Sequence, residues 1–247
     1  MRLSPRGALG AVLILAMCAL CVRLGFWQLD RLEQRRARNA AVMAGMGQAP
    51  RSVDAALMAA MERDPERLVY RRVAARGRFD PEREVVLRGR VEDGNPGVHL
   101  ATPFVVEGDS VVLFVNRGWV PAQDAATPRD RPAPPAGLVT VEGILQTVPV
   151  TQDRGGRSVS ARGDTTYRRL DLAVARARMG RPVLPMYVQI LGDTARAARR
   201  TLPVAVPPPP LDEGSHLGYA IQWFSFATTG IVGLAILLLR RGSRPAP

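Results

Sequence analysis

LGYAIQWFSFATTGIVGLAILLL, residues 217–239, carries no charged side chain and stops at Arg240-Arg241. At about 1.5 Å per residue a helix of that length crosses a hydrocarbon core about 30 Å thick. The stretch therefore predicts a transmembrane helix. A second apolar stretch, GALGAVLILAMCALCVRLGFWQL over residues 7–29, is interrupted only by Arg23 and Gln28. Arg23 stands near its far end, where a long side chain can snorkel to the interface. The rival reading of 7–29 is a cleaved signal peptide, because its uncharged run is short and small residues lie near its end.

The two spans set the organisation: a tail over 1–6, a span over 7–29, one exposed domain over 30–215, a span over 217–239 and a tail over 240–247. Each tail contains Arg and no acid, and Lys/Arg bias in short segments holds such tails in the cytoplasm. Both termini are expected on the cytoplasmic side of a plasma (inner) membrane, with the central domain periplasmic or otherwise extracytoplasmic. Arg31, Arg35, Arg36 and Arg38, just past the first span, oppose this orientation. Long translocated domains follow the charge rule poorly.

The formal net charge is +12, with 47% hydrophobic and 5% aromatic residues. That balance suits a folded core rather than a disordered chain. Arg2, Arg6, Arg23, Arg240, Arg241 and Arg244 lie in or beside the apolar ends, so the central domain is only mildly basic. No basic run with interleaved aromatics occurs, and a nucleic-acid partner is not expected. The two cysteines, Cys18 and Cys21, fall inside the first span. They have C-x-x-C spacing, but Val22 stands where haem attachment needs His, so they read as buried, unreactive thiols.

Within the domain, Asp30 to Arg38 carries mixed charge on all faces and reads as a solvated continuation of the first helix. Ser52 is placed to cap a short helix, VDAALMAAMER, ahead of Pro65. β-branched runs broken by turn residues then predict strands in LVYRRVAARGRF (68–79), EVVLRGRV (84–91), GVHLATPFVV (97–106) and SVVLFVNRGW (110–119). The polar turn at Glu107 to Ser110 predicts an antiparallel hairpin. Pro121 to Gly137 reads as a loop, and VTVEGIL (139–145) as a strand. YRRLDLAVARARMG (167–180) reads as a helix closed by Gly180, and MYVQIL (186–191) as the last strand. Pro207 to Pro210 is a polyproline spacer. The fold class is an α+β membrane protein: two transmembrane helices flanking one antiparallel β-rich extracytoplasmic domain.

Catalytic residues are scarce. His99 and His216 are the only histidines, and no nucleophile elbow, Walker loop or His-Glu-x-x-His occurs. The carboxylate pairs Glu92-Asp93 and Asp212-Glu213 lie in turn-like surroundings that solvation explains. His216 opens the second span, with Tyr219 at i+3 and Trp223 at i+7 on the same face. An imidazole above a Tyr and a Trp is a slot for a flat porphyrin, with His as axial ligand. Interfacial enrichment of Tyr and Trp and a simply hydrated His account for the same residues. The first helix leaves the membrane where the second re-enters it, so Arg23, Trp27 and Arg31 lie at comparable depth, and an Arg there suits a carboxylate.

Gly25-Phe26-Trp27-Gln28-Leu29 with Arg31, Gly77-Arg78-Phe79, Thr102-Pro103-Phe104, Val115-Asn116-Arg117-Gly118-Trp119-Val120-Pro121 and His216-Leu217-Gly218-Tyr219-Ala220-Ile221-Gln222-Trp223-Phe224 occur in that order. Together with the two spans they resemble the surfeit locus protein 1 family of cytochrome oxidase assembly factors. The resemblance implies a non-enzymatic role in maturing subunit I of a haem-copper oxidase, with transient binding of haem a. Carried over, His216 is the implied haem-iron ligand, with Tyr219, Trp223, Trp27 and Arg31 around the cofactor. Haem A synthase is a possible further partner. Asn116, Arg117, Gly118 and Trp119 match the motif without an assigned chemical task; Gly118 permits a bend and Arg117 ties a turn. Two alternatives stay open: a chaperone that stabilises subunit I without haem, and a membrane-tethered enzyme using His99 or a carboxylate. Departures from the family pattern are Glu33-Gln34-Arg35 after the first span and Tyr167 ahead of Asp171.

Overall fold

The computed structural model describes residues 5–160, 163–192 and 201–242. They divide into a unit made from the two chain ends, up to Ala40 and from Pro210, and a unit spanning Ala41–Pro209.

In the first unit, α1 (Pro5–Met46) and the terminal helix His216–Gly242 are long and apolar enough to cross a membrane, with mean hydropathy 2.3 and 1.7 in their apolar stretches. Their outward side chains, among them Leu13, Leu20, Ile221, Ile231 and Leu237, are exposed. Such faces need a hydrocarbon solvent, and with every backbone group bonded inside the helix they can have one. This is a membrane protein. The pair packs through small residues, as helices in lipid do. Cys18, Cys21 and Ala227 are buried together with Ile14, Val22 and Trp223 against them. A Cβ on Gly25 would come within 2.5 Å of the Phe224 ring, and one on Gly230 within 2.6 Å of Cys18 Sγ.

Past Leu29 the first helix does not run as a solvated stalk. Leu32 and Asn39 are buried on its inner face. Arg35 pairs with Asp212 at 3.1 Å and Arg36 with Glu213 at 2.8 Å, while Asn39 Nδ2 donates to the Leu211 and Asp212 carbonyls at 3.0 Å. The mixed charge that reads as solvation is half of a clasp. Its other half, Asp212-Glu213, lies far away in sequence, so the pairing is invisible to local spacing.

The second unit is built on six long strands and three very short ones: β1 (Arg51–Ser52), β2 (Arg72–Phe79), β3 (Val85–Glu92), β4 (Asn95–Val106), β5 (Val112–Pro121), β6 (Val139–Thr147), β7 (Ser158–Val159), β8 (Thr165–Tyr167) and β9 (Val183–Gln189). They follow the order β1-β2-β6-β9-β5-β4-β3-β8-β7, and β2 also pairs with β4. That extra pairing closes β2, β6, β9, β5 and β4 into a barrel. The long strand β4 makes closure possible. One edge serves β3 as far as Ala101 and then β2 from Phe104, while on the other edge Leu100 and Ala101 face Gly118 and Asn116, which leaves Arg117 as the extra residue of a bulge in β5. Most pairings are antiparallel, and β1–β2, β3–β8 and β5–β9 are parallel.

Alternation decides what faces in. Val73 and Ala75 of β2, Leu113 and Val115 of β5 and Leu184, Met186 and Val188 of β9 fill the interior with Phe104. The short helix α2 (Ala55–Arg63) adds Leu57 and Met61 to the same core. The opposite faces of β5 and β9 hold Val112, Phe114, Val183 and Tyr187, covered by Leu172, Ala175 and Met179 of α3 (Leu172–Met179). The central strand β5 is thus buried on both sides, which explains its near-continuous apolar run.

Several local expectations change. Asp54, not Ser52, caps α2, its Oδ1 accepting from Leu57 N at 2.7 Å, because Ser52 is drawn into pairing with Ala74. The strand expected from Leu68 begins at Arg72: residues 65–68 form a single tight turn and Tyr70 takes φ 67. Helix α3 begins after Asp171, which accepts from Val174 N, and Tyr167 belongs to β8. Gly180 closes that helix in the left-handed region at φ 60, as the sequence predicts.

Candidate functional site

The terminal helix, α4 (His216–Gly242), starts where a turn re-aims the chain. Gly214 takes φ 67, and its N–H donates to Asp212 Oδ1 at 3.0 Å. Tyr219 N–H then reaches back to the Ser215 carbonyl, which places His216 in the first turn. Its Nδ1 lies 2.8 Å from Gln28 Oε1 on α1. With the carboxamide oxygen as acceptor, the neutral ring donates from Nδ1 and keeps its lone pair on Nε2. A ligating imidazole needs this tautomer, and a partner on the far nitrogen is what fixes it. A Cβ on Gly214 would stand 3.6 Å from Nε2 and 3.4 Å from Cδ2, so a glycine keeps that edge of the ring open.

Tyr219 is half exposed one turn along. Trp223 is partly buried against Cys18 and Cys21 and meets Phe226 edge-on at 6.0 Å. With Ile14, Met17 and Gly230 these residues border an apolar cavity of about 400 Å³ between the helices. The residues predicted on the first helix are arranged differently from one another. Gln28 meets His216, whereas Arg31 lies over the Trp27 ring at 5.8 Å and bonds Gln34 at 2.9 Å. Among the described residues no hydrogen bond, ion pair or ring contact joins Trp27 or Arg31 to His216. The sequence marks Gln28 only as a polar residue inside an apolar run; its role needs the pairing of the two helices.

In the other unit, the Asn116 to Trp119 motif knots β5 to its surroundings. Arg117 and Glu84 form a buried ion pair, with Arg117 Nε donating to Thr102 Oγ1 and Nη1 to the Pro132 carbonyl, both at 2.8 Å. Asn116 Oδ1 accepts from Gly118 N at 3.1 Å, and its Nδ2 lies 3.2 Å from His99 Nδ1. Gly118 takes φ 123, and a Cβ there would fall 2.1 Å from the Val204 carbonyl oxygen. Trp119 exchanges both backbone hydrogen bonds with Val204 at 2.7 Å, and its indole covers Gly97. Burial, with the Arg90 charge nearby, pushes His99 down to about 4. The neutral imidazole is largely buried, and among the described residues its side-chain hydrogen-bond partner is the Asn116 carboxamide. Among the described residues no three His, Cys, Asp or Glu side chains gather as a metal site. Glu92 and Asp93 sit in the tight β3–β4 turn.

A family model described as the SURF1 family matches residues 15–228. The chain belongs to the SURF1 family. A SURF1-like protein of Rickettsia felis is 26% identical over 228 residues, covering 90% of this chain and 93% of that protein. An uncharacterised SURF1-like protein of Mycobacterium tuberculosis is 28% identical over 226 residues, covering 91% and 80%. A SURF1-like protein of Caenorhabditis elegans is 25% identical over 187 residues, covering 68% and 57%. The SURF1 match takes in Gln28, the Asn116 to Trp119 motif, His216, Tyr219 and Trp223.

Proposed function

We propose that this SURF1 family member assists cytochrome oxidase assembly at the plasma membrane by holding haem a transiently on His216 and passing it to subunit I. Both termini lie in the cytoplasm and the β domain lies outside it. The observation that carries the reading is the His216–Gln28 hydrogen bond, which leaves Nε2 as the donor atom. Haem a is cargo here and supplies only an iron that accepts an imidazole. Tyr219 and Trp223 follow His216 one and two turns along α4, and the cavity beside Trp223 suits an apolar chain on the macrocycle. Arg31 stands one turn beyond Gln28 on α1 and, stacked on Trp27, is the cation available to a propionate. One imidazole with no opposing protein ligand releases its cargo more readily than two would, as delivery requires. Haem A synthase is the natural donor, and the role is non-catalytic.

The test is purification of the full chain from cells making haem A, for wild type and His216→Ala. Loss of the Soret band in the variant is the expected result, and an unchanged band overturns the ligand assignment. Colourless wild-type protein that still co-purifies with subunit I would replace the haem reading with that of a haem-independent chaperone.

A further inference from the structure

Within residues 7–29 of α1 the one charged side chain is Arg23, and it lies off the α4 contact. Contact with α4 runs through Ile14, Cys18, Cys21, Gly25 and Gln28, with one edge of Phe26 meeting Phe224 at 5.4 Å. Arg23 points elsewhere, is exposed, and makes no hydrogen bond or ion pair among the described residues. It shares a groove with Ala19, Phe26, Trp27 and Asp30, and Asp30 makes no ion pair with it. Arg23 is six residues before Leu29, about 9 Å inside the apolar stretch.

Snorkelling would have to carry the guanidinium toward the C-terminal end of the span. Side chains on an α-helix lean the other way, toward the N-terminus. The same lean is visible two turns on, where Arg31 reaches back over Trp27. Trp27 in turn occupies the i+4 position above Arg23, in the path to the headgroups. Retreat toward the N-terminus leads deeper into hydrocarbon. A cation held at that depth is satisfied by a counter-charge at its own level, and ionisable groups in membranes characteristically face another helix.

We infer that this face of α1 docks a second membrane helix bearing an Asp or Glu at the depth of Arg23. Ala19, one turn below, lets the partner backbone approach, and Trp27, one turn above, flanks the ion pair and excludes lipid headgroups. The inference rests on α1 crossing the membrane and is read out without haem, so its failure and that of the haem-holding reading are separable.

The test uses the full chain in phosphatidylcholine vesicles with a Leu/Ala host transmembrane peptide carrying one Asp at the matching depth, association being followed by energy transfer. The Asp peptide should bind about tenfold more tightly than its Leu counterpart, the scale of interhelical polar contacts in lipid. Arg23→Leu should erase that preference, Arg23→Lys should keep it, and Arg23→Glu should transfer it to a Lys-bearing peptide. Equal binding of the Asp and Leu peptides to wild type overturns the inference. So does a preference that vanishes when phosphatidylglycerol is added while Arg23 controls phosphatidylglycerol retention, since the counter-ion is then a lipid phosphate.

Discussion

Replacing Arg117 by Met separates a structural motif from a contact motif. The Arg117 and Glu84 side chains are only 6% and 9% exposed, and Thr102 is fully buried between them. Removing one member of such a pair leaves the other charge buried without a counter-ion, which costs about 3–5 kcal/mol. The loss of the Pro132 carbonyl contact is part of the same change. For a chain of this size about 2–4 °C is lost per kcal/mol, so Arg117→Met should lower the melting temperature by roughly 6–20 °C. Glu84→Gln should do similar damage from the other side. The double variant Arg117→Met/Glu84→Leu removes both charges and should recover at least about 2 kcal/mol relative to the sum of the single changes, because an apolar pair of similar volume is close to neutral. Thermal unfolding of the full chain in detergent, followed by far-ultraviolet circular dichroism of the β domain, reads this directly. A single variant within about 1 kcal/mol of wild type, or a double variant no better than additive, would refute the structural account of the motif.

Two further outcomes follow from the same geometry. Gln28→Leu removes the acceptor that fixes the His216 tautomer and should weaken haem retention about 10- to 100-fold without abolishing it; a haem titration that matches wild type would dismiss the orienting role. His99, held down at about 4 by burial first and by Arg90 second, stays neutral in the folded domain while the unfolded chain protonates near 6.5. Stability should therefore be complete above about pH 6.5 and fall as pH drops toward 4, by up to about 3 kcal/mol. His99→Gln should flatten that slope, and a variant as pH-sensitive as wild type would point to other groups.

The apolar runs of 7–29 and 217–239 and the six long strands were legible because each carries its own period or length. What was hidden depends on partners remote in sequence. β1, β7 and β8 are two or three residues long and have no pattern of their own; they exist because β2 and β3 offer open edges. Barrel closure was equally out of reach, since nothing local in β2 announces that both of its edges will be used. At the site, His216, Tyr219 and Trp223 could be placed on one face by helical spacing alone. Gln28, Gly25 and Gly230 acquire their roles only once the two helices touch. The Asn116 to Trp119 segment could be read as a bend and a tied turn, but Glu84, Thr102 and Val204, the groups it is tied to, could not.

An assembly factor spends its working life beside incompletely folded polypeptide, where stray backbone donors and acceptors invite unwanted strand exchange. In this domain barrel closure occupies β2 on both edges, and the sheet terminates in two stubs, β1 and β7, of two residues each, with β8 covering Val86 and Leu87 of β3. Neither stub is long enough to template a neighbour. If the chain grips a client as proposed, such short ends favour contact through side chains, and release without tearing a sheet apart.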